Sequence, residues 1–504
     1  MNPDAIRFKS ILKLREAYRH ASCIMAYDGM TAAPRNAAKG AAQTSALLAA
    51  EERALTDNDA YAELCRRVFS DGEADALTRV EAERELRRVE RSRRVPARLH
   101  AEFKRLTAEG FAKWQEAKAK DDHAVFAPCL DAIFAAAAEI ASCAAPEKEP
   151  YAYWLDENEE GMTPERLDSF FGLIKRETVP LIKRIAELPK PENGFLHRYY
   201  PKAEQAELSR ELMELMCIDP ARGSLGEAEH PYTTFVSRDD VRMTTHYFER
   251  SLTANMFSIL HEGGHATYEL NIARELSGSP LAHGASAGLH ESQSRFFENI
   301  IGRSRAFSGL IFPRLKARFP GQLAGVTEEE YFRAVNRVEP TLKRTEADEL
   351  TYCLHVMIRC ELERRMITGE LSAAELPGEW NALYEKYLGI TPPTDREGCL
   401  QDMHWGSGLI GYFPTYALGN AYGAQIAAAM REELDVDALV AKGRLGDIIA
   451  WLTERVYRFG GTKRPAEILA SFGGGFEPGH YVSYLSEKYR AVYGLRQLEK
   501  SAEK

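Results

Sequence analysis

Helical periodicity is the feature of this chain that most limits its fold. From Phe8 to about Asp121, runs rich in Ala, Leu, Glu and Arg repeat apolar residues at helical spacing, and long helical stretches return after Phe248. The best strand signal is confined to residues 232–248, where Thr, Val and aromatic residues flank Ser-Arg-Asp-Asp. We therefore expect an all-α, mainly helical protein with one small β element.

The charge pattern bears on possible partners. The chain has 504 residues and a net charge of −10, which argues against a general nucleic-acid binder because such proteins need a basic face. Residues 77–94 interleave Glu with Arg, a pattern that favours a solvated, ion-paired helix face over a basic groove. Pro96 interrupts this helix, and residues 97–120 resume the pattern, so we expect a helical hairpin.

Three further features indicate a soluble, cytoplasmic protein that binds no membrane. The most apolar stretch, residues 126–145, is interrupted by Pro128, Asp131 and Glu139, which favours a buried helix over a membrane span. The eight cysteines are scattered and form no C-x-x-C pair, as suits a reducing compartment without a zinc ribbon. The N-terminal residues lack the apolar region of a secretory signal.

Histidines concentrate in the middle of the chain, where His261-Glu262-Gly263-Gly264-His265 lies in a helical pattern. Two histidines at this spacing share one helix face and can bind one zinc ion, while the intervening Glu262 can reach a water molecule. Both glycines cost helix stability, which suggests that another part of the protein approaches this backbone closely.

A catalytic zinc needs a third protein ligand. The extended motif H-E-x-x-H-x-x-G-x-x-H fails here because Tyr268 and Asn271 occupy its Gly and third His positions. A carboxylate on a neighbouring helix is the remaining choice. Glu291 opens a new helical pattern and is the candidate ligand, and Glu298, two turns further on, is a candidate supporting residue behind the ligands.

A second interpretation of these residues is that they belong to a di-iron carboxylate protein. Glu262 and His265 form an E-x-x-H pair, and Glu227 and His230 form another. Two observations argue against this interpretation. Pro231 follows the second pair directly, and His261 is left without a role.

Five blocks of sequence resemble the motifs of the thermostable, Taq-type zinc metallocarboxypeptidases. In order they match the family's HPF with Tyr for Phe, its DxRxT, its HExxH, its HES/GQ, and its IRxxAD with Lys for Ile. The blocks are His230-Pro231-Tyr232, Asp240 to Thr244, His261 to His265, His290 to Gln293, and Lys343 to Asp348. Similar sequence continues at residues 149–163 and 401–419, so the resemblance covers nearly the whole chain and is weakest in the first hundred residues.

The resemblance implies a two-lobed, clam-like peptidase around a deep cleft, with the small β element near the active site. Residues 1–504 would form one unit, in which 1–145 build a wall of the cleft and 146–504 carry the metal. The protein would be a homodimer that removes single residues from peptide C-termini with broad specificity, disfavouring proline. One Zn²⁺ per chain would be bound, with Co²⁺ able to substitute. By position, His261, His265 and Glu291 would be the ligands and Glu262 the general base.

The remaining candidate residues would bind substrate. His404, Tyr412 and Tyr416 lie in a glycine-rich segment and are candidate donors to the oxyanion, with core packing as the alternative. Arg344 and then Arg242 are candidates for binding the substrate carboxylate, with a structural ion pair to Asp348 or Asp240 as the alternative. His230 would contact substrate or simply form a turn before Pro231. A helical endopeptidase with the same site would differ by cutting C-terminally amidated peptides.

Overall fold

The computed structural model describes residues 2–495, and it confirms a mainly helical fold that is 69% helix with one small three-stranded sheet. Among these residues, the helices and strands follow one another along the chain as α1 Pro3–Thr31, α2 Ala38–Thr56, α3 Asp59–Ser70, α4 Ala76–Arg94, α5 Ala97–Lys120, α6 Ala127–Ala144, α7 Pro150–Asn158, α8 Pro164–Ala186, α9 Lys202–Leu215, β1 Gly223–Glu227, β2 Thr233–Ser237, β3 Asp240–Thr245, α10 Leu252–Leu270, α11 Ala287–Arg295, α12 Arg305–Arg318, α13 Glu328–Val335, α14 Glu349–Ile367, α15 Leu376–Leu388, α16 Phe413–Glu433, α17 Val436–Ala441, α18 Leu445–Arg455, α19 Pro465–Ala470 and α20 Gly479–Val492.

The chain divides into two compact units. Unit 1 contains the residues up to 93 together with 193–335 and 426–473. Unit 2 contains residues 94–192 and 336–425 and the chain from 474 onward. The chain thus crosses between units several times. The division expected near residue 145 stays a prediction.

The predicted β hairpin is confirmed, and the sheet has one strand more than the sequence indicated. Strands β2 and β3 pair antiparallel with Thr233 opposite Met243, and β1 pairs with the other edge of β3 in parallel, giving the order β1-β3-β2. The strand β1 reads Gly-Ser-Leu-Gly-Glu and carries little β-branched or aromatic signal, so its pairing partner and not its own propensity makes it a strand. Helix α10 packs on this sheet.

The two helices expected on either side of Pro96 are confirmed, since α4 ends at Arg94 and α5 begins directly after Pro96, and their packing as a hairpin stays a prediction. The expected solvated, ion-paired face of α4 is found at Arg88 and Glu90, but the expectation is wrong for two of its glutamates. Glu81 and Glu85 are buried at 1% and 4% exposure, because the face that carries them packs on α1, where Lys9 pairs with Glu81 and Arg15 pairs with Glu85 at 2.6 Å. Ion pairs within one helix and ion pairs between two helices produce the same sequence pattern. The sequence alone therefore does not show which of the two kinds of ion pair forms.

The buried pair of Arg15 and Glu85 leads to a stability prediction. Replacing Arg15 by Met is expected to cost about 3–5 kcal/mol, because Glu85 is left as a buried charge whose remaining partners in the described part of the chain are Arg88 and Tyr61. The urea midpoint followed by circular dichroism measures this loss. The double variant Arg15→Met/Glu85→Leu should recover most of it, and a double variant as unstable as the single one would contradict the role of the charge.

The apolar segment of residues 126–145 forms α6, as predicted. By length and composition α6 could cross a membrane, and half of its residues are buried inside the protein. It packs on α5, α7 and α14 of unit 2, with Leu130, Ile133 and Ala137 fully buried. The small alanine side chains of α6 let these helices approach closely. The high hydropathy of α6 reflects its packing in the protein core.

Candidate functional site

The H-E-G-G-H motif lies in the middle of α10, within unit 1. Ser251 caps the N-terminus of this helix by accepting a hydrogen bond from the Ala254 N–H, and Ser286 caps α11 in the same way through the Leu289 N–H. These caps set where each helix begins. They therefore contribute to the positions of His261 and His265 on α10 and of Glu291 on α11.

The two glycines of the motif allow a close approach of neighbouring elements, as predicted. A Cβ at Gly264 would lie 2.4 Å from the Gln293 carbonyl oxygen, and a Cβ at Gly263 would lie 2.5 Å from Met216 Sδ. No side chain fits at Gly264, since the obstacle there is the backbone of α11. The bare backbone at this crossing is what lets Glu291 reach the histidines.

Three candidate metal ligands meet at this crossing. Glu291 Oε2 lies 3.8 Å from His261 Nε2 and 3.6 Å from His265 Nε2, and the three ligand atoms all lie within 4.8 Å of one another. A tetrahedral zinc ion, with bonds of about 2.0–2.2 Å, holds its ligand atoms roughly 3.3–3.5 Å apart. Two imidazole nitrogens and one carboxylate oxygen are donors that zinc binds, and both separations from Glu291 are close to this tetrahedral spacing.

The residues behind the ligands hold them in place. Glu298 Oε2 lies 2.9 Å from His261 Nδ1, and Arg295 bonds both Glu291 at 2.8 Å and Glu298 at 3.1 Å. Glu298 lies in a π-helical segment, Phe296–Ile301, that continues α11, a geometry often found at functional sites. The structure thus brings Glu298 directly behind His261, where a carboxylate orients a metal-ligating histidine. Arg295 was missed by the sequence reasoning.

The environment shifts the protonation of each ligand. Burial lowers the pKa of His265 to about 4, which keeps this imidazole neutral. Burial also lowers the pKa of His261, but Glu291 and the hydrogen bond with Glu298 outweigh it and raise that pKa overall. Burial raises the pKa of Glu291, yet Arg295 and His261 hold it well below its usual range. A cation binding between these residues therefore meets the neutral imidazole of His265 and the ionised carboxylate of Glu291.

Glu262 lies beside the ligands and is buried at 6% exposure. Burial raises its pKa above the ordinary range, and the Thr233 hydroxyl, 2.7 Å from Glu262 Oε2, opposes this rise. Thr233 stands on β2, so the small sheet positions one oxygen of the carboxylate. The other oxygen remains available to a water molecule. No local sequence pattern indicated Thr233, which lies 29 residues before Glu262 in the chain.

Removal of the Thr233 hydroxyl is expected to impair the base. The Thr233→Val enzyme should show kcat/KM about 10- to 100-fold lower, since a hydrogen bond to a charged group contributes about 1.5–3 kcal/mol. The acidic limb of its pH–rate profile should also move to higher pH. Without the hydroxyl donor the pKa of Glu262 is higher, so this base becomes protonated at a higher pH. A pH profile measures both effects. An acidic limb that stays in place, or one that moves to lower pH, would contradict this role.

Two predicted residues lie outside these clusters in the structure. His230 is exposed in the loop before β2, and only its backbone carbonyl has a described partner, Thr244. Arg242 forms a two-point ion pair with Asp240 at 2.7 and 2.8 Å, the structural alternative considered above.

The di-iron interpretation is wrong, because Glu227 ends a strand and pairs with Lys202 while His230 is exposed. Neither residue lies on a helix facing His265.

Arg344 lies in a buried cluster of unit 2. Its Nη2 and Nε lie 3.1 and 3.4 Å from Asp402 Oδ1, and its Nη1 donates to Tyr352 at 3.1 Å. Arg359, fully buried, binds the other oxygen of Asp402 at 2.6 Å. The predicted partner Asp348 instead caps α14. Two guanidinium groups thus share one carboxylate, which leaves net positive charge in a buried place, and two N–H donors of Arg344 have no partner among residues 2–495.

His404, Tyr412 and Tyr416 lie together in unit 2, next to this cluster. The Tyr416 hydroxyl lies 3.1 Å from His404 Nε2, the rings of Tyr412 and Tyr416 are 5.3 Å apart, and Arg344 lies over the Tyr416 ring at 4.5 Å. Burial lowers the pKa of His404 to about 4, so its imidazole is neutral. All three side chains are half-buried and not fully packed in the core.

A buried glutamate missed by the sequence reasoning holds this segment. Glu363 on α14 accepts hydrogen bonds from Trp405 Nε1 at 2.7 Å and from the Gly411 N–H at 2.8 Å. Burial raises its pKa to about 8. Its two bonds tie both ends of the turn between His404 and Tyr412 to α14. No local pattern could reveal it, because Glu363 is 42 residues from Trp405 in the chain.

A helical scaffold that brings together two histidines, one carboxylate as the third ligand, and a buried glutamate that is not a ligand is the arrangement of a helical metallopeptidase. The family model described as Carboxypeptidase Taq (M32) metallopeptidase matches residues 7–489. Carboxypeptidase 1 of Bacillus subtilis is 37% identical over 494 residues, which cover 97% of this chain and 98% of that protein. Thermostable carboxypeptidase 1 of Thermus thermophilus is 38% identical over 417 residues, covering 80% of this chain and 82% of that protein.

A solved structure agrees with these relatives. The crystal structure of an M32 carboxypeptidase from Deinococcus radiodurans has a TM-score of 0.95 at 34% identity, covering 98% of this chain and 100% of that one. The chain belongs to the Carboxypeptidase Taq (M32) metallopeptidase family. It is a metallocarboxypeptidase, with a metal cofactor and peptide substrates.

Proposed function

We propose that this metallocarboxypeptidase uses one zinc ion per chain to release single residues from free peptide C-termini, with broad specificity and poor action on proline. The observation that carries this proposal is the convergence of His261, His265 and Glu291, with Glu262 beside them. Two imidazoles and one carboxylate form the ligand set of many catalytic zinc sites. Cobalt accepts the same donors, so Co²⁺ is expected to substitute.

A bound zinc ion would polarise the scissile carbonyl and make water acidic enough to attack at neutral pH. Glu262 accepts the proton of the attacking water through the oxygen that Thr233 leaves free, and then passes it to the leaving amine. His404, Tyr412 and Tyr416 donate hydrogen bonds to the oxyanion that develops on the carbonyl.

Arg344 is proposed to bind the substrate carboxylate. Its two unused N–H donors and the surplus positive charge around Asp402 favour an anion at this position. Arg242 is the weaker candidate, because its one-to-one ion pair with Asp240 leaves no surplus positive charge, whereas Arg344 and Arg359 share a single carboxylate. A contact between His230 and the substrate fits its exposed side chain.

The decisive experiment compares an unblocked peptide with its C-terminally amidated twin, with and without chelator, read by mass. Stepwise loss of single residues from the free acid alone is expected, with a stop before proline. Chelator should abolish cleavage, and added zinc or cobalt should restore it. Internal cleavage of the amidated peptide would instead assign an endopeptidase.

We also propose that the protein works as a homodimer in the cytoplasm. All eight cysteines are free thiols, which suits a reducing compartment, and the dimer follows from the family resemblance. Light scattering of the purified protein tests the dimer, and a single-chain mass at all concentrations would contradict it. Fractionation of the source cells tests the compartment, and recovery outside the cytoplasm would contradict that part.

A further inference from the structure

Behind His265 runs a chain of side chains that the proposed chemistry does not use. His265 Nδ1 lies 2.6 Å from His290 Nδ1, and His290 Nε2 lies 2.8 Å from Glu269 Oε1. On its far side, Glu269 Oε2 lies 3.8 Å from His283 Nδ1. Glu269 is buried at 3% exposure and stands one helical turn after His265 on α10.

The direction of the hydrogen bonds in this chain follows from the ligand role of His265. Its Nε2 faces Glu291 and must present a lone pair to a metal, so the proton of the neutral ring lies on Nδ1. That N–H donates to His290 Nδ1. His290 then carries its own proton on Nε2 and donates it to Glu269, because a carboxylate only accepts. One tautomer of each ring satisfies every contact.

The surroundings are shaped to seat His290. A Cβ at Gly284 would lie 2.6 Å from His290 Cδ2 and 2.9 Å from Tyr268 Cε1, so only glycine fits there. The Gly284 N–H donates to Glu269 Oε1 at 3.2 Å, and the buried ring of Tyr268 packs on His290 at 5.2 Å. The loop before α11 therefore closes over His290 and orients both of its bonds.

The two histidine ligands are thus supported differently. A carboxylate, Glu298, contacts His261 directly, whereas Glu269 acts on His265 only through the ring of His290. Groups behind a metal ligand fix its tautomer and orientation, and losing one typically weakens metal binding about 10- to 100-fold.

We propose that His290 and Glu269 are positioning residues, which hold His265 as the Nδ1–H tautomer and thereby set the metal affinity of the site. This role rests on the proposed zinc site. It assigns to the His of the His290-Glu291-Ser292-Gln293 block a task separate from that of the neighbouring ligand Glu291.

The test measures the zinc dissociation constant of the full-length protein by chelator competition. The His290→Phe variant keeps a ring against Tyr268 but leaves the His265 N–H without an acceptor, so its dissociation constant should rise about 10- to 100-fold. The His290→Asn variant offers an oxygen close to the position of Nδ1 and should regain most of the lost affinity. The Glu269→Gln variant keeps an acceptor for His290 without the charge, and a smaller rise is expected.

A matched control separates positioning from folding. His246 also hydrogen-bonds through Nδ1, to the Ala228 carbonyl at 3.1 Å, and His246→Phe should leave the zinc dissociation constant unchanged. The melting temperature of metal-free His290→Phe should match that of metal-free wild type, while the rise caused by zinc should shrink.

Several outcomes would overturn this role. One is an unchanged dissociation constant in His290→Phe, and another is an equal loss in His246→Phe. If His290→Phe does not fold, the zinc dissociation constants of His290→Asn and Glu269→Gln decide whether this role holds. A dissociation constant that is unchanged in Glu269→Gln rejects the proposed hydrogen-bonded path from His265 through His290 to Glu269. Wild-type protein that binds no zinc would overturn the proposed metal site instead, so the two failures are distinguishable.

Discussion

Glu262→Gln protein is expected to lose turnover by about 10²- to 10⁴-fold while it keeps its metal. The amide has nearly the shape of the carboxylate but cannot take a proton from water, and general-base catalysis is typically worth about this factor. Its side chain is buried at 6% exposure and bonded to Thr233, so the replacement is held in the same place. Zinc remains bound because His261, His265 and Glu291 are untouched.

The measurement pairs kcat on an unblocked peptide with metal content of the same sample. Glu275, an exposed glutamate in the turn after α10, provides the matched control, and Glu275→Gln should retain full activity. The pH profile adds a second readout. The apparent pKa of the acidic limb in the wild-type profile should lie above the ordinary range of a glutamate. The reason is that burial raises the pKa of Glu262 and this base works only when it is ionised. Full activity in a zinc-loaded Glu262→Gln enzyme would contradict the assignment.

Arg344→Met protein is expected to lose its preference for a free C-terminus. Two charge-assisted hydrogen bonds to a carboxylate contribute about 3 kcal/mol or more, so kcat/KM on the free acid should fall by at least about 10²-fold. The amidated peptide cannot use these bonds, and its slow cleavage should change little. The ratio of the two rates should therefore collapse.

This ratio distinguishes recognition from structural damage. Losing Arg344 also leaves Asp402 with one partner fewer and is expected to lower thermal stability, but damage of that kind slows both peptides alike. The Arg242→Met variant is the matched control, because Arg242 is engaged by Asp240, and it should keep the preference. Loss of the preference in Arg242→Met with retention in Arg344→Met would reverse the assignment.

Much of the fold follows from local patterns. The periodicity of residues 77–94 and 97–120 and the break at Pro96 predict α4 and α5 almost to the residue. The strand β1 could not be found in this way, because its residues have weak β propensity and only pairing with β3 makes it a strand. The same limit explains Glu85, whose burial depends on where α1 lies.

Sequence alone determined the parts of the site that helix geometry governs. His261 and His265 share a face because 3.6 residues make a turn, and the glycines between them signal a close approach of another backbone. Those relations hold within one helix and need no knowledge of the rest of the molecule.

Only the tertiary structure decided which distant groups meet these residues. Thr233 beside Glu262, Asp402 between Arg344 and Arg359, and Glu269 behind His290 join segments whose separations along the chain carry no periodic signal. Their meeting depends on how β2, α10, α11, α14 and the loops pack. The physical reason is that a buried charge or imidazole must find a partner, and packing alone determines which one is within reach.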